Sequence, residues 1–139
     1  MENEISDSKV MANQLRRKGI APTAQRVQIA GILFARHAHF SADDLYQQAL
    51  QAGVRVSKAT VYNTLGLFVE KGLVREVMVD PARVFYDSNT GAHHHFYNVA
   101  TGDLTDLDSK ALSLDRLPSP PPGTEIEGVE VILRLRPKT

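Results

Sequence analysis

The apolar side chains of residues 9–72 recur at helical spacing in four segments. The first helix is predicted over Lys9–Lys18 and ends at Gly19. Thr23 is expected to cap the second helix, because its hydroxyl oxygen accepts a hydrogen bond from a free backbone N–H of the first turn. The apolar stripe of this second helix consists of Val27, Ala30, Leu33 and Phe34.

Two further helices are predicted from their caps. Ser41 is expected to cap the third helix, and Asp44 follows where a carboxylate suits the positive end of the helix dipole. Ser57 is expected to cap the fourth helix. Gly53 and Gly72 follow these two helices at the position that favours a left-handed backbone. The first half of the chain is therefore predicted to be helical.

After Gly72 the pattern changes to that of strands. Leu73–Val79 and Arg83–Tyr86 are rich in β-branched and aromatic residues, and Asp80-Pro81 predicts a turn between them. Packed helices followed by a hairpin form a winged helix, in which the helix capped by Ser57 is the recognition helix. Residues 1–88 are therefore predicted to be a winged-helix DNA-binding domain with four helices and a β-hairpin.

Residues 89–139 are predicted to form a small α/β dimerisation domain, which makes the whole chain an α+β protein. Its predicted elements are strands at His93–Val99, Asp103–Leu107 and Val129–Arg136 and a short helix at Ser109–Arg116. So few elements bury little apolar area, and a unit of this size usually gains stability by pairing with a copy of itself. The chain is therefore expected to be a homodimer that presents two recognition helices to a pseudo-palindromic site.

Composition excludes several classes of protein. The chain has 139 residues, of which 42% are hydrophobic and 23% charged, as in a folded water-soluble protein. It has no apolar run near the roughly 20 residues that span a bilayer, and its first residues are polar, so a cytoplasmic location without membrane contact is expected. Cysteine is absent, which rules out disulfides and thiolate zinc sites.

The net charge of zero conceals an uneven distribution. Residues 8–42 carry lysine and arginine but no acid, whereas most of the charged residues in 103–130 are acidic. A basic segment suits the phosphates of DNA. On charge alone, solvated helix faces are the better interpretation, because such clusters of like charge are common.

The segment from Ser57 to Thr64 carries small and hydrogen-bonding side chains, which a helix needs to approach base edges. Lys58 and Thr60 suit phosphates, while the ring edge of Tyr62 suits a thymine methyl group. The predicted DNA contacts are Arg17, Arg26, Ser57, Lys58, Thr60, Tyr62 and Asn63.

Three consecutive histidines give the strongest chemical signal. On a strand, His93 and His95 share one face and His94 points to the other. Imidazole binds transition metals or haem iron near neutral pH, and nitrogen and oxygen ligands without sulfur favour Mn(II), Fe(II) or Zn(II). The candidates that would complete a metal site are His39, Asp87 and Asp106.

Two other classes of protein are alternatives. An H-x-H pair with two acids fits a metallohydrolase or a non-haem iron enzyme, but so short a chain leaves little room for a substrate cavity. The sequence also has no nucleophile–base pattern and no phosphate-binding loop, so no enzyme is expected. A winged-helix protein that binds no metal and has an incidental histidine tract is the second alternative.

The segments SADDLYQQA, VSKATVYNTL and HHHFYNVATGDLTDL resemble the ferric uptake regulator (Fur) superfamily of bacterial transcription factors. The resemblance covers Leu15 to Leu107 and is closest to the iron response regulator branch. It implies an iron- or haem-responsive homodimer that binds operator DNA and controls haem biosynthesis and iron homeostasis genes. A peroxide-sensing or Mn/Fe-dependent repressor without haem sensing is the alternative.

The resemblance also implies ligand sets. The regulatory metal site would be His39, Asp87, His93, His95 and Asp106. Haem would bind at His93, His94 and His95. Metal occupancy would fix the angle between the DNA-binding and dimerisation domains and so the spacing of the recognition helices. The peroxide-sensing branch has an aspartate where Asp87 stands, and Tyr62 matches the tyrosine that contacts thymine in relatives.

Some positions depart from the family pattern. Many relatives bind a structural zinc through two CxxC pairs, which this cysteine-free chain cannot do. Asn63 replaces an arginine after the recognition tyrosine, and Ala21 replaces a basic residue before the second helix. Both changes imply an operator that differs from the usual iron box. The Cys-Pro haem motif of some relatives is also missing.

Overall fold

The computed structural model describes residues 2–35, 39–88, 90 and 94–139. The chain separates into two compact units, Met1–Thr90 and Gly91–Thr139. The assignment of DNA binding to residues 1–88 and of dimerisation to residues 89–139 stays a prediction. Among the described residues, no helix is both long and apolar enough to cross a membrane.

The first unit contains the helices α1 (Glu2–Arg17), α2 (Ala24–Phe34), α3 (Ala42–Gln51) and α4 (Lys58–Glu70). Helix α1 begins at Glu2 rather than at Lys9, because the polar residues that precede Lys9 show no apolar period that sequence analysis can detect. The glycines predicted to follow helices adopt the left-handed backbone, with φ of 76° at Gly19, 78° at Gly53 and 74° at Gly72.

The predicted helix caps are present. The Ser41 hydroxyl accepts the Asp44 backbone N–H at 3.1 Å, and the Asp44 carboxylate accepts the Ser41 backbone N–H at 3.3 Å, which completes a capping box. Thr23 and Ser57 each accept the backbone N–H of the residue three positions later, at 3.3 and 3.1 Å. These bonds fix where α2, α3 and α4 begin.

One face of each helix packs into a common apolar core. The buried members of this core are Leu15, Ile20, Ile29, Ala30, Leu33, Phe40, Ala42, Leu45, Val61, Leu65, Phe68, Leu73 and Val74. Leu50, which helical spacing groups with the buried residues of α3, is 46% exposed. The preceding residue, Ala49, is fully buried, so Leu50 lies beside the buried face of α3 and not on it.

Three strands of the first unit form an antiparallel sheet. They are β1 (His39–Phe40), β2 (Arg75–Asp80) and β3 (Arg83–Asp87), in the order β1-β3-β2. The β2–β3 hairpin is the predicted wing. The two-residue strand β1 was not predicted, because so short a segment shows no period. It pairs with the end of the wing and brings His39 opposite Asp87.

The second unit is built on the strands β4 (His94–Asn98), β5 (Leu104–Leu107) and β6 (Ile132–Leu135), in the order β5-β4-β6. β5 is antiparallel to β4, and β6 is parallel to it. The helix predicted at Ser109–Arg116 is wrong, since only a single 3-10 turn forms at Ser109–Ala111. The segment beyond that turn has no buried face, with Leu114 40% exposed, and a short helix without such a face is unstable.

His94 helps to hold β6 in place. Its Nδ1 accepts the backbone N–H of Val131 at 3.0 Å, while the Val131 carbonyl accepts the His95 N–H at 3.1 Å. The side chain thus extends the β4–β6 hydrogen bonds by one. The α+β fold with a winged helix is confirmed.

We expect Phe68→Ala to lower the free energy of unfolding by about 3–5 kcal/mol, because the ring is fully buried and its loss leaves a cavity. Leu50→Ala, at an exposed position, is the control and is expected to change it by less than about 0.5 kcal/mol. Urea denaturation measures both values. Similar losses in the two variants would contradict this assignment of the core.

We expect His94→Ala to speed hydrogen exchange at the Val131 amide about fivefold, because a neutral hydrogen bond contributes about 1 kcal/mol. His94→Asn retains an acceptor near the same position and is expected to restore most of the protection. Exchange followed by NMR measures this effect. An Ala variant with wild-type protection at Val131 would show that His94 does not anchor β6.

Candidate functional site

A buried histidine and a buried aspartate face each other in the first unit. His39 on β1 and Asp87 on β3 are direct partners across the sheet. His39 Nε2 lies 3.0 Å from Asp87 Oδ2, and the two side chains are 8% and 0% exposed. A carboxylate without solvent requires a partner such as a cation. β1, which sequence analysis missed, is therefore the element that positions His39.

The second unit contains a similar pair. His95 on β4 is paired with Asp106 on β5. His95 Nε2 lies 3.5 Å from Asp106 Oδ1, and the His95 side chain is fully buried while that of Asp106 is 35% exposed. The Nδ1 atom on the other side of the ring lies 3.9 Å from Glu130 Oε1. This imidazole is thus located between two carboxylates.

In each pair, the distance between the imidazole nitrogen and the carboxylate oxygen fits two atoms that bind the same metal ion. Two donor atoms that are each about 2.1 Å from a metal lie roughly 3.0 Å apart at a right angle and roughly 3.4 Å apart at the tetrahedral angle. The pairs are separated by 3.0 Å for His39–Asp87 and 3.5 Å for His95–Asp106. Imidazole nitrogen and carboxylate oxygen suit Mn(II), Fe(II) and Zn(II). Each pair is therefore a chemically suitable part of a metal site.

The remaining histidine predictions have different outcomes. His93, predicted both as a metal ligand and as a haem ligand, lies outside the described residues. His94 points away from the side of β4 that holds His95, as strand alternation predicted, and binds Val131. Glu130 was not predicted, because it lies in an acidic stretch where no spacing distinguishes one carboxylate from another.

The predicted DNA-contacting residues of α4 lie at its exposed N-terminal end. The Ser57 hydroxyl caps α4 and lies 2.9 Å from the Thr60 hydroxyl. Lys58 is the first residue of the helix, and Tyr62 is 46% exposed one turn later. Asn63 is also exposed. Small capping residues thus leave the longer side chains of this end accessible to a ligand.

An open groove of about 450 Å³ runs between the start of α2 and the middle of α4. Its lining residues are Thr23, Gln25, Arg26, Thr60, Asn63, Thr64 and Leu67. Arg26, Thr60 and Asn63 were predicted to contact DNA, and the groove brings them together. Arg26 Nη1 donates to the Ala21 carbonyl at 3.0 Å, which directs its guanidinium. Arg17 does not line this groove but is exposed in the last turn of α1.

Asp43 in the first turn of α3 contacts two side chains of α4. Its Oδ1 lies 2.8 Å from Lys58 Nζ and accepts the Tyr62 hydroxyl at 3.4 Å. The hydrogen bond from Lys58 holds the pKa of Asp43 below its usual value, and the same contact raises the pKa of Lys58. Both groups are therefore charged at neutral pH. Sequence analysis did not predict this contact, because it joins two different helices and helical spacing does not report contacts between them.

Known proteins with similar sequences and folds give a consistent result. The model of the ferric uptake regulator family matches residues 17–117. The peroxide-responsive repressor PerR of Staphylococcus aureus is 32% identical over 118 residues, which cover 84% of this chain and 78% of that protein.

Two solved structures extend the likeness. The ferric uptake regulator of Pseudomonas aeruginosa, solved with manganese, has a TM-score of 0.71 at 30% identity, covering 94% of this chain and 99% of that one. PerR of Streptococcus pyogenes, described in a structural study of peroxide sensing and gene regulation, has a TM-score of 0.50 at 28% identity, covering 71% and 68%. The family match spans most of the chain, and this chain therefore belongs to the ferric uptake regulator family, whose members are transcription regulators rather than enzymes.

Proposed function

We propose that this protein is a metal-dependent repressor that binds pseudo-palindromic double-stranded operator DNA as a homodimer. The observation that carries the proposal is the presence of two histidine–carboxylate pairs, each with a fully buried member, at positions predicted to bind the regulatory metal. The exposed N-terminal end of α4 supplies the DNA-reading surface. The family supplies the coarser part of this conclusion, a metal-responsive transcription regulator.

In this proposal, one ion takes ligands from His39, Asp87, His95 and Asp106, with His93 as a further predicted ligand. Mn(II), Fe(II) or Zn(II) would bind there, and the ion supplies positive charge among the carboxylates and a fixed ligand geometry. The manganese in the Pseudomonas aeruginosa regulator supports this choice of metals. Fixing residues of both units would set the spacing of the two recognition helices, and such coupling is typically worth about 1–3 kcal/mol.

We expect His39→Ala and Asp106→Asn each to abolish tight Mn(II) binding and to weaken operator binding by about 5- to 150-fold, the range typical of such coupling. Isothermal titration calorimetry measures metal binding, and fluorescence anisotropy measures DNA affinity. The Asp106 side chain is more exposed than that of His39, so Asp106→Asn is expected to disturb folding less than His39→Ala does. Its fold is checked by urea denaturation.

His94→Asn is the matched control, because His94 is adjacent to a predicted ligand but points to the other face of β4. It is expected to bind Mn(II) with wild-type stoichiometry and affinity. If His39→Ala and Asp106→Asn both bound Mn(II) as tightly as the wild type, one shared site would be ruled out.

A peroxide-sensing repressor is a second candidate, and two observations favour it. Asp87 provides an aspartate, as in the peroxide-sensing branch, and PerR proteins are among the similar sequences and structures. The iron response regulator branch, with haem at His93–His95 and control of haem biosynthesis and iron homeostasis genes, stays a prediction. In the structure, the complete burial of His95 limits access of a haem to that residue.

Treatment of the Fe(II)-loaded protein with peroxide distinguishes a peroxide-sensing repressor from a haem-responsive one. For a peroxide sensor, we expect oxygen to be incorporated at His39 or His93 and operator binding to fall, because iron-generated oxidants attack the ligands that hold the iron. Mass spectrometry of peptides measures the oxidation, and the Mn(II)-loaded protein is the control. Unmodified histidines, together with a shifted haem Soret band and haem-dependent release of DNA, would favour the haem-responsive function.

A further inference from the structure

Asp43 contacts two side chains at the start of α4 that are not part of the proposed metal site. A single carboxylate oxygen lies 2.8 Å from Lys58 Nζ and accepts the Tyr62 hydroxyl at 3.4 Å. Both α4 side chains are predicted DNA contacts. The Asp43 and Lys58 side chains are 62% and 56% exposed, so solvent and a large ligand both reach this ion pair.

The helix dipoles explain why the ion pair between these two groups is favourable. Lys58 is the first residue of α4, where the helix dipole disfavours a cation, and Asp43 is in the first turn of α3, where it favours an anion. The carboxylate therefore offsets an unfavourable charge in the DNA-free protein. The same carboxylate is unfavourable once DNA is present, because a phosphate that binds Lys58 Nζ would meet a like charge already placed 2.8 Å from that nitrogen.

We propose that Asp43 competes with DNA phosphate for Lys58 and thereby limits how tightly α4 holds DNA of any sequence. DNA binding must replace the Asp43 carboxylate with a phosphate at Lys58 Nζ. Non-specific binding consists almost entirely of phosphate contacts, whereas an operator is also read through its bases. The competition therefore removes a larger share of the binding free energy for non-specific DNA than for an operator. This inference rests on the proposed DNA-binding function.

The test uses the 139-residue chain without added metal and a mixed-sequence DNA duplex at about 50 mM salt, where phosphate contacts are strong. Asp43→Asn is expected to bind about threefold more tightly than the wild type, the effect of losing one exposed ion pair. In a Lys58→Met background, Asp43→Asn is expected to give no gain. Fluorescence anisotropy measures all four affinities of this double-mutant cycle.

Asp44→Asn is the charge-matched control. It removes the same charge from the neighbouring residue, retains a side-chain oxygen for the Ser41 cap, and is expected to leave affinity near the wild-type value. An equal gain from Asp43→Asn with and without Lys58 would overturn the competition, since it would show a general charge effect. Weaker binding by Asp43→Asn would overturn it as well, since Asp43 would then position Lys58 for DNA.

The mixed-sequence duplex keeps the two proposals separable. Loss of metal-dependent operator binding would refute the proposed function while leaving this coupling measurable. Conversely, a missing coupling between Asp43 and Lys58 would refute the competition and leave metal-dependent operator binding intact.

Discussion

The Asp87 carboxylate is fully buried at the end of the wing, and the proposed function depends on what balances its charge. An isolated buried carboxylate is costly, and loss of the partner of a buried charge typically costs about 3–5 kcal/mol. His39 meets it at 3.0 Å because β1 pairs with β3 in a single register. A cation bound at this pair, as the proposed function requires, would place further positive charge beside the carboxylate.

The second unit shows the same physical constraint. His95 is buried between Asp106 and Glu130, and its neighbour His94 anchors β6 through Val131. Adjacent histidines on one strand thus have different tasks, because strand alternation sends them to opposite faces. Because His94 holds β6 against β4, β6 is fixed next to His95, the predicted metal ligand. Substitution of His95 is therefore expected to disturb the pairing of the edge strand β6 with β4.

Local signals made much of the fold predictable. The capping box of Ser41 and Asp44 and the left-handed glycines act within one helical turn, so their residue types are sufficient evidence. β1 and the lone 3-10 turn at Ser109–Ala111 depend on packing partners distant in sequence, and spacing does not report them. The same holds for the exposure of Leu50. For the site, the histidine tract and the family resemblance together predicted the metal ligands, whereas the contacts of Asp43 and Glu130 depend on three-dimensional proximity.

Pulsed electron paramagnetic resonance of the Mn(II)-loaded protein identifies the side chains that bind the proposed metal ion. We expect one Mn(II) per chain, with nitrogen couplings from imidazole and loss of one imidazole coupling in His39→Ala. A manganese signal without imidazole nitrogen, or a nitrogen coupling unchanged by His39→Ala, would contradict this expectation.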